Sequence, residues 1–124
     1  MSISLEHPYG SVTIYKGYII SVINEGVTVT PEINDIILNL IYPYFNNKKF
    51  IYIAHRIYSY AVDPAVYNEI SKIKDLVAIA VVSSNRIALN NAELEKLFID
   101  KPFETFYTVE NAQKWAIDLI KNDL

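Results

Sequence analysis

The segment that most limits the possible folds is LVAIAVV at residues 76–82, the longest uninterrupted apolar run in the 124-residue chain. The run is short and rich in β-branched side chains, and the polar residues Asp75 and Ser83 bound it. A run of this kind is typical of a strand that is buried on both faces. It therefore predicts the central strand of a sheet.

Other short segments also have the composition of strands. Two of them are joined by Lys16-Gly17, which is a hairpin signal, and a third follows the turn residues of Asn24-Glu25-Gly26. A fourth is mostly apolar, as expected for an interior strand. The predicted strands besides the central one are residues 11–15, 18–23, 27–30, 49–54 and 103–107.

Four segments between or after these strands have the pattern of amphipathic helices, with apolar residues three or four positions apart. Pro43 should end the first helix, since the residue before a proline disfavours helical geometry. The predicted caps are Thr30 with Pro31, Asp63 with Pro64, Ser83 or Ser84, and Thr108. The apolar residues of the four predicted helices, in chain order, are Ile33, Ile36, Ile37, Leu40 and Ile41; Val66, Ile70 and Ile73; Leu94, Leu97 and Phe98; and Val109, Ala112, Trp115, Ala116, Leu119 and Ile120.

The order of these elements predicts an α/β fold in one domain that spans residues 1–124. Strands that alternate with helices form a largely parallel sheet through right-handed crossovers. The N-terminal hairpin adds antiparallel strands. We therefore expect a mixed sheet of about five or six strands with about four helices.

Composition narrows the classes of function. The net charge is −3 and the pI is about 5.3, so nucleic acid is not an expected partner. There is no cysteine and there are only two histidines, which predicts no metal site and no cofactor. The start of the sequence lacks the pattern of a signal peptide, and no segment has the ~20 apolar residues of a membrane span. We expect a cytoplasmic protein.

Three stretches of the sequence carry a resemblance to a known family. They are FIYIAHR at residues 50–56, DLVAIAVVSSNRIALNN at 75–91, and KPFETFYTVENAQKWAIDLI at 101–120, where Ala112 and Trp115 lie three residues apart. Over nearly the whole chain the sequence resembles the SpoIIAA-like, or STAS, domains, and in particular the small stand-alone branch described as STAS/SEC14-like. The resemblance implies a SpoIIAA/STAS-like fold and a role in binding other proteins.

The best-known members of that family carry a phosphorylatable serine in an Asp-Ser-Ser-Gly-like motif at the start of a helix, and its phosphorylation controls the binding of an anti-sigma kinase. The corresponding place here is YAVDPAV at residues 60–66, with Asp63 at the cap. The motif is absent. Asp63 resembles a permanently charged version of the switch, but it is also an ordinary helix cap.

The densest cluster of reactive side chains follows the strand at residues 49–54. We expect this segment to form a loop that presents Arg56, Tyr58 and Tyr60 to a partner, because Tyr and Arg are enriched at interface hot spots. Alternatively, Tyr58 or Tyr60 folds back over the core. The residues of this predicted partner-binding loop are Arg56, Tyr58, Ser59, Tyr60 and Asp63.

The same segment also contains a Ser-His-Asp set, formed by Ser59, His55 and Asp63. However, there is no G-x-S-x-G motif, and no glycine follows Gly26. Sites that bring the backbone close to a substrate often use glycine. We therefore predict that the protein is not an enzyme.

The SSNR segment follows the central strand and contains Ser83, Ser84, Asn85 and Arg86. Ligands in open α/β sheets bind beyond the carboxyl ends of the strands, so these residues form a candidate rim for an anion or another ligand. The same residues are also typical of capping and turns. In either case, we expect the SSNR segment and the 55–63 loop to emerge at the same end of the sheet.

Two functions follow from the sequence. The first is a non-catalytic, regulatory protein-interaction module of the SpoIIAA type with a protein partner, and a homodimer is compatible with it. The alternative is a small-molecule or lipid-binding module of the SEC14-like type, which needs an apolar cavity of about 300 Å³ or more.

Overall fold

The computed structural model describes residues 2–123, so Met1 and Leu124 of the predicted domain lie outside the described residues. It contains eight strands and four helices within that range. The strands are β1 (Ile3–His7), β2 (Gly10–Tyr15), β3 (Tyr18–Ile23), β4 (Thr28–Val29), β5 (Phe50–His55), β6 (Ala61–Val62), β7 (Leu76–Val82) and β8 (Phe103–Phe106). The helices are α1 (Pro31–Phe45), α2 (Ala65–Ser71), α3 (Arg86–Glu95) and α4 (Val109–Asp123), and a short 3₁₀ helix (Lys96–Phe98) follows α3.

Six of the strands form one mixed sheet in the order β1-β2-β3-β5-β7-β8. The pairs β1-β2 and β2-β3 are antiparallel, whereas β3, β5, β7 and β8 run parallel to one another. The other two strands, β4 and β6, pair in parallel as a separate small sheet. The predicted α/β fold with a mixed sheet and four helices is therefore confirmed, and β7 lies inside the parallel part.

Helices cover both faces of the sheet. One face packs against α1 and α3, through residues such as Ile41 and Ala92, and against the end of α2. The other face packs against α4, where Ala112 and Ala116 are fully buried. Small alanine side chains let a helix approach a sheet closely. The other residues of the predicted stripe are half-buried against the same face, and they are Val109, Trp115, Leu119 and Ile120. Thr108 caps this helix by accepting a hydrogen bond from the Asn111 N–H at 3.2 Å.

The first strand was missed in the sequence. The predicted strands begin at residue 11, but β1 precedes them and ends at His7, whose Nδ1 accepts a hydrogen bond from the Tyr9 N–H at 3.2 Å. The alternation of Ile3 and Leu5 with Ser4 and Glu6 is the signal that could have predicted a strand. Of the two apolar residues, Leu5 packs against the core.

The prediction that Pro43 ends the first helix is wrong. Helix α1 starts as predicted, with the Thr30 side chain accepting a hydrogen bond from the Ile33 N–H, but it continues through Pro43 to Phe45. Phe45 stacks on Phe50 with ring centroids 4.9 Å apart, and this buried contact favours the extra turn. The helix ends where Asn46 adopts a left-handed conformation with φ of 50°.

Within residues 2–123, no helix combines the length and the apolar character that crossing a membrane requires.

Candidate functional site

The loops at the carboxyl ends of β3, β5 and β7 enclose an open groove of about 530 Å³, which we call the strand-end groove. The structure brings the two predicted segments together there, because the ends of parallel strands meet at one edge of a sheet. Of the predicted residues, those that line the groove are Arg56, Tyr58, Ser59, Tyr60, Ser83 and Asn85. Ser84 and Arg86 are exposed and do not line the groove. Of the SSNR segment, only Ser83 and Asn85 line it.

Arg56 is the centre of a hydrogen-bonded network at the inner wall of this groove. Its Nη1 and Nη2 donate to the two carboxylate oxygens of Glu95 at 2.6 and 2.8 Å, a bidentate ion pair. Its Nε donates to the Tyr60 hydroxyl at 3.2 Å. The Tyr67 hydroxyl donates to Glu95 Oε1 at 2.8 Å. We refer to Arg56, Tyr60, Tyr67 and Glu95 as the Arg56 network.

The Arg56 network is largely shielded from water. The side chains of Arg56 and Glu95 are only 15% and 13% exposed. The guanidinium carbon lies 5.3 Å from the centroid of the Tyr60 ring, within the range of a cation–π contact. The side chains of Arg56 and Tyr60 therefore pack against the protein and do not extend into solvent. Of the two alternatives left open for the tyrosines, Tyr60 folds back against the core, whereas Tyr58 is exposed.

The network also shifts the ionisation of its members. Burial by itself would lower the pKa of Arg56, but the hydrogen bonds and charge of Glu95, together with Tyr60, raise that pKa above its ordinary value. Burial raises the pKa of Tyr60 and of Tyr67 above that of a free tyrosine, and for Tyr67 the hydrogen bond to Glu95 acts in the same direction. At neutral pH the network therefore contains one positive and one negative charge and two neutral phenols.

Sequence reasoning missed Glu95 and Tyr67. Glu95 was not among the predicted site residues, and unlike the exposed Glu93 on the same helix its side chain is only 13% exposed. Its partner Arg56 is 39 positions away in the sequence, so local spacing could not pair them. The available signal was Arg56 itself, since an arginine that follows a buried strand needs a carboxylate partner.

The remaining residues of the predicted loop are placed by local hydrogen bonds. The Ser59 N–H donates to Glu25 Oε1 at 3.1 Å, and the Ser59 carbonyl accepts a bond from the Gly26 N–H at 2.9 Å. Asp63 Oδ1 accepts a bond from the Ala65 N–H at 3.0 Å, so its carboxylate holds the start of α2. Asp63 is not among the residues that line the strand-end groove.

The structure separates the Ser-His-Asp set. His55 follows Ile51 and Ile53 on the face of the sheet that α4 covers, and its pKa is lowered by burial while Glu110 counteracts that shift. Successive side chains of a strand point to opposite faces, so His55 and Arg56 diverge at the end of β5. Within residues 2–123, no hydrogen bond joins the side chains of Ser59, His55 and Asp63, and no cluster of three potential metal ligands occurs.

The cap of α3 differs from the prediction. Asn85 caps the helix, because its Oδ1 accepts hydrogen bonds from the N–H groups of Ile87 and Ala88 at 2.8 and 3.2 Å. Ser83 stabilises the turn before the helix, because its hydroxyl accepts a hydrogen bond from the Asn85 N–H at 3.0 Å. Neither Ser83 nor Ser84 is the cap, since a cap side chain must reach the second or third helical N–H.

This assignment predicts that Asn85→Ala lowers the free energy of unfolding by about 1 kcal/mol, because two helical N–H groups lose their acceptor. Ser84→Ala, one position away and exposed, is the matched control and should change stability by less than about 0.5 kcal/mol. Urea unfolding followed by circular dichroism measures both. Equal losses in the two variants would contradict the assignment of Asn85 as the cap.

A small pocket of about 70 Å³, partly open to solvent, lies behind the strand-end groove, between the sheet and the helices α1 and α2. Most of its lining is aliphatic, with Ile37, Leu38 and Val66 among the buried residues. Its volume is well below the roughly 300 Å³ expected for a lipid-binding module.

Comparisons with protein-family models, with curated proteins and with solved structures find no match for this chain. The geometry of the strand-end groove and of the surfaces beside it is therefore the basis for any statement about function.

Proposed function

We propose that this domain is a non-catalytic protein-interaction module whose docking surface is the strand-end groove together with the exposed side of α3. The observation that carries the proposal is a run of large apolar side chains that the chain leaves uncovered there. Ile57 and Tyr58 on one wall of the groove and Ile87 on the other are all exposed, Ile87 to 70%.

A second group of exposed apolar side chains lies further along α3 and on the 3₁₀ helix, beyond the exposed Asn90 and Asn91. Leu94 lies two helical turns beyond Ile87 on the same side of α3, and Leu97 and Phe98 follow, all three exposed. The sequence pattern predicted Leu94, Leu97 and Phe98 as the apolar residues of the third helix. In the structure Leu97 and Phe98 lie in the 3₁₀ helix, and α3 contacts the core through Leu89 and Ala92. Clusters of exposed apolar residues with polar residues at their rim mark interaction sites in soluble proteins.

The polar groups around this surface indicate what kind of partner fits it. Asn91 and Glu25 line the groove and are exposed, and they can bond to backbone or side-chain groups at the rim. An apolar centre with a polar rim is the usual organisation of a protein interface. The partner we propose is an amphipathic segment of another protein that inserts apolar side chains between Ile57 and Ile87.

The resemblance to SpoIIAA-like domains supports a regulatory role for this docking. The position of the family's phosphorylated serine is held here by Asp63, whose carboxylate already accepts a backbone hydrogen bond. A permanent negative charge at the start of α2 fits a module that binds its partner without a phosphorylation switch.

The experiment is a comparison of two charge insertions at exposed isoleucines. Ile87→Glu places a carboxylate in the docking surface, while Ile117→Glu, the matched control, places one on α4 at the other face of the sheet. Proteins captured by the tagged wild type would be identified, purified and titrated against all three forms. We expect Ile87→Glu to weaken binding by at least about tenfold, equivalent to about 1.4 kcal/mol, and Ile117→Glu to leave it unchanged.

Two results would overturn the proposed surface. One is equal binding by the wild type and Ile87→Glu, and the other is an equal loss in the Ile117→Glu control. Light scattering of the purified chain tests the special case in which the partner is a second copy: a dimer that Ile87→Glu converts to a monomer would identify the docking surface as a homodimer interface.

A further inference from the structure

The mixed sheet has an open edge at β1. Within residues 2–123, β1 pairs on one side only, with β2. The segment Ile3–His7 contains no proline and no lysine, and no bulge interrupts its pairing with β2. The strand at the opposite edge, β8, is shorter, and α3 and α4 both contact it. Natural proteins usually protect an edge strand, so the edge of β1 indicates a place where another strand can pair.

The hydrogen bonds of the neighbouring strands show which main-chain groups this edge presents. The Asn24 N–H donates to the Tyr9 carbonyl at 2.9 Å, so the odd-numbered residues along β2 bond to β3 and its even-numbered residues bond to β1. In β1 their partners are the odd-numbered residues. The N–H and C=O groups of Ser4 and Glu6 therefore point away from the sheet.

Apolar side chains lie beside this edge on the side of the sheet that α1 covers. Leu5 and Leu40 both pack, half-buried, against the same core cluster. Ile36 and Tyr44 lie one helical turn before and after Leu40 on α1, and both are exposed, as is Ile3 in β1. We refer to Ile3, Leu5, Ile36, Leu40 and Tyr44 as the edge strip.

The sequence of β1 is self-complementary in one antiparallel register. When a two-fold axis at Leu5 relates two copies, Ser4 lies opposite Glu6 of the second copy, and these residues can form about four main-chain hydrogen bonds. Leu5 then faces Leu5 of the second copy. A register centred on Glu6 would oppose two carboxylates, and one centred on Ser4 would leave Glu6 and His7 without partners in the other β1.

We propose that the chain forms a homodimer in which two β1 strands pair antiparallel around a two-fold axis at Leu5, so that the two sheets join into one. The axis is perpendicular to the sheet, so the α1 helices of the two copies lie on the same side and the two edge strips meet there. Contact between the edge strips removes apolar surface from water and adds to the hydrogen bonds between the strands. The proposal does not depend on the docking function, because no residue of β1 or β2 lines the strand-end groove.

The first test is the mass of the chain in solution, measured by light scattering between about 1 and 100 μM. We expect a dimer for the wild type and at least about tenfold weaker dimerisation for Ser4→Pro. Proline lacks the N–H that Ser4 directs outwards, and the bonds between β1 and β2 do not use that N–H, so circular dichroism should show a folded variant. Ser4→Ala keeps the N–H and, as the matched control, should dimerise like the wild type. A wild type that is monomeric at about 100 μM, or a folded Ser4→Pro that dimerises as well as Ser4→Ala, would overturn the proposal.

Disulfide cross-linking tests the register without a proline variant. The chain has no cysteine of its own, so a single introduced cysteine can react only with its counterpart in a second copy. Leu5 and its counterpart form a non-hydrogen-bonded pair with Cα atoms about 4.5 Å apart, which is within the range of a disulfide, so Leu5→Cys should give a covalent dimer on mild oxidation. Ser4 and its counterpart are diagonal neighbours about 7–8 Å apart, so Ser4→Cys should cross-link at least about tenfold more slowly. Equal rates, or a faster reaction of Ser4→Cys, would show that the register is wrong.

Ile87→Glu separates this interface from the docking surface. The variant should remain a dimer, since Ile87 lines the strand-end groove and lies outside the edge strip. Loss of partner binding with an intact dimer would support both proposals independently. If Ile87→Glu dissociates the dimer and Ser4→Pro does not, the two copies meet at the docking surface and the β1 interface is wrong.

Discussion

Glu95→Ala is expected to lower the free energy of unfolding by about 3 kcal/mol, because it leaves the Arg56 guanidinium buried without a counter-charge. Both side chains of the ion pair are less than one-sixth exposed, and the carboxylate accepts two bonds from Arg56 and one from Tyr67. Urea unfolding at neutral pH, followed by circular dichroism, measures the change. A surface ion pair would give less than about 1 kcal/mol.

Glu93→Ala is the matched control, since Glu93 lies on the same helix but is exposed. We expect it to change the free energy of unfolding by less than about 0.5 kcal/mol. The double variant Arg56→Met/Glu95→Leu removes both charges and should recover more than half of the stability that Glu95→Ala loses, because apolar side chains can replace a buried ion pair. A loss below about 1 kcal/mol in Glu95→Ala would show that the pair is hydrated in solution.

Features that depend on local spacing were predictable from the sequence. The hairpin of β2 and β3, the central strand β7 and the buried stripe of α4 all follow from apolar periodicity over fewer than about 20 residues. The caps at Thr30 and Thr108 follow in the same way, because a cap side chain bonds to N–H groups two or three residues ahead. These features decided the fold class.

The errors occur where contacts between distant residues outweigh local preference. Pro43 disfavours helix locally, but the packing of Phe45 against Phe50 extends α1 beyond it. The Arg56 network joins the end of β5 to α2 and α3, and none of its pairings except Arg56 with Tyr60 lies within one helical turn of sequence. Composition could therefore single out residues 55–63 as a candidate site, but it could not show that Arg56 and Tyr60 pack against the protein.

The Arg56 network has a different character from the surface around it. An exposed apolar side chain such as Ile87 gains stability when a partner covers it, whereas the groups of the network already satisfy one another. Substitutions at the two places should therefore have different effects. Those in the network should lower the free energy of unfolding, and those at Ile57 or Ile87 should weaken binding of the proposed partner alone.

The buried tyrosines in and beside the Arg56 network also predict a loss of stability at high pH. Burial raises the pKa of Tyr52 and of Tyr60 above the value of 10.0 that a free tyrosine has. Above pH 10 the unfolded chain therefore loses these phenolic protons before the folded chain does, and the folded state becomes less stable. Each tyrosine whose pKa is raised contributes up to about 1.4 kcal/mol per pH unit between its unfolded-state and folded-state pKa, and Tyr67, whose pKa is also raised, adds to the slope from Tyr52 and Tyr60. Urea unfolding at a series of pH values between neutral and alkaline measures this slope.

The sign follows from which state holds the protons. Below pH 10 both states keep them, and the contribution is fully present; it is lost as the pH rises towards the folded-state pKa of each tyrosine. Tyr60→Phe should lower the slope by up to about 1.4 kcal/mol per pH unit, because its hydroxyl no longer ionises in either state. Tyr44→Phe, at an exposed position on α1, is the control for removing a hydroxyl outside the network. If Tyr60→Phe and Tyr44→Phe keep the same slope as the wild type, the Tyr60 hydroxyl is not held in the neutral form by its burial beside Arg56.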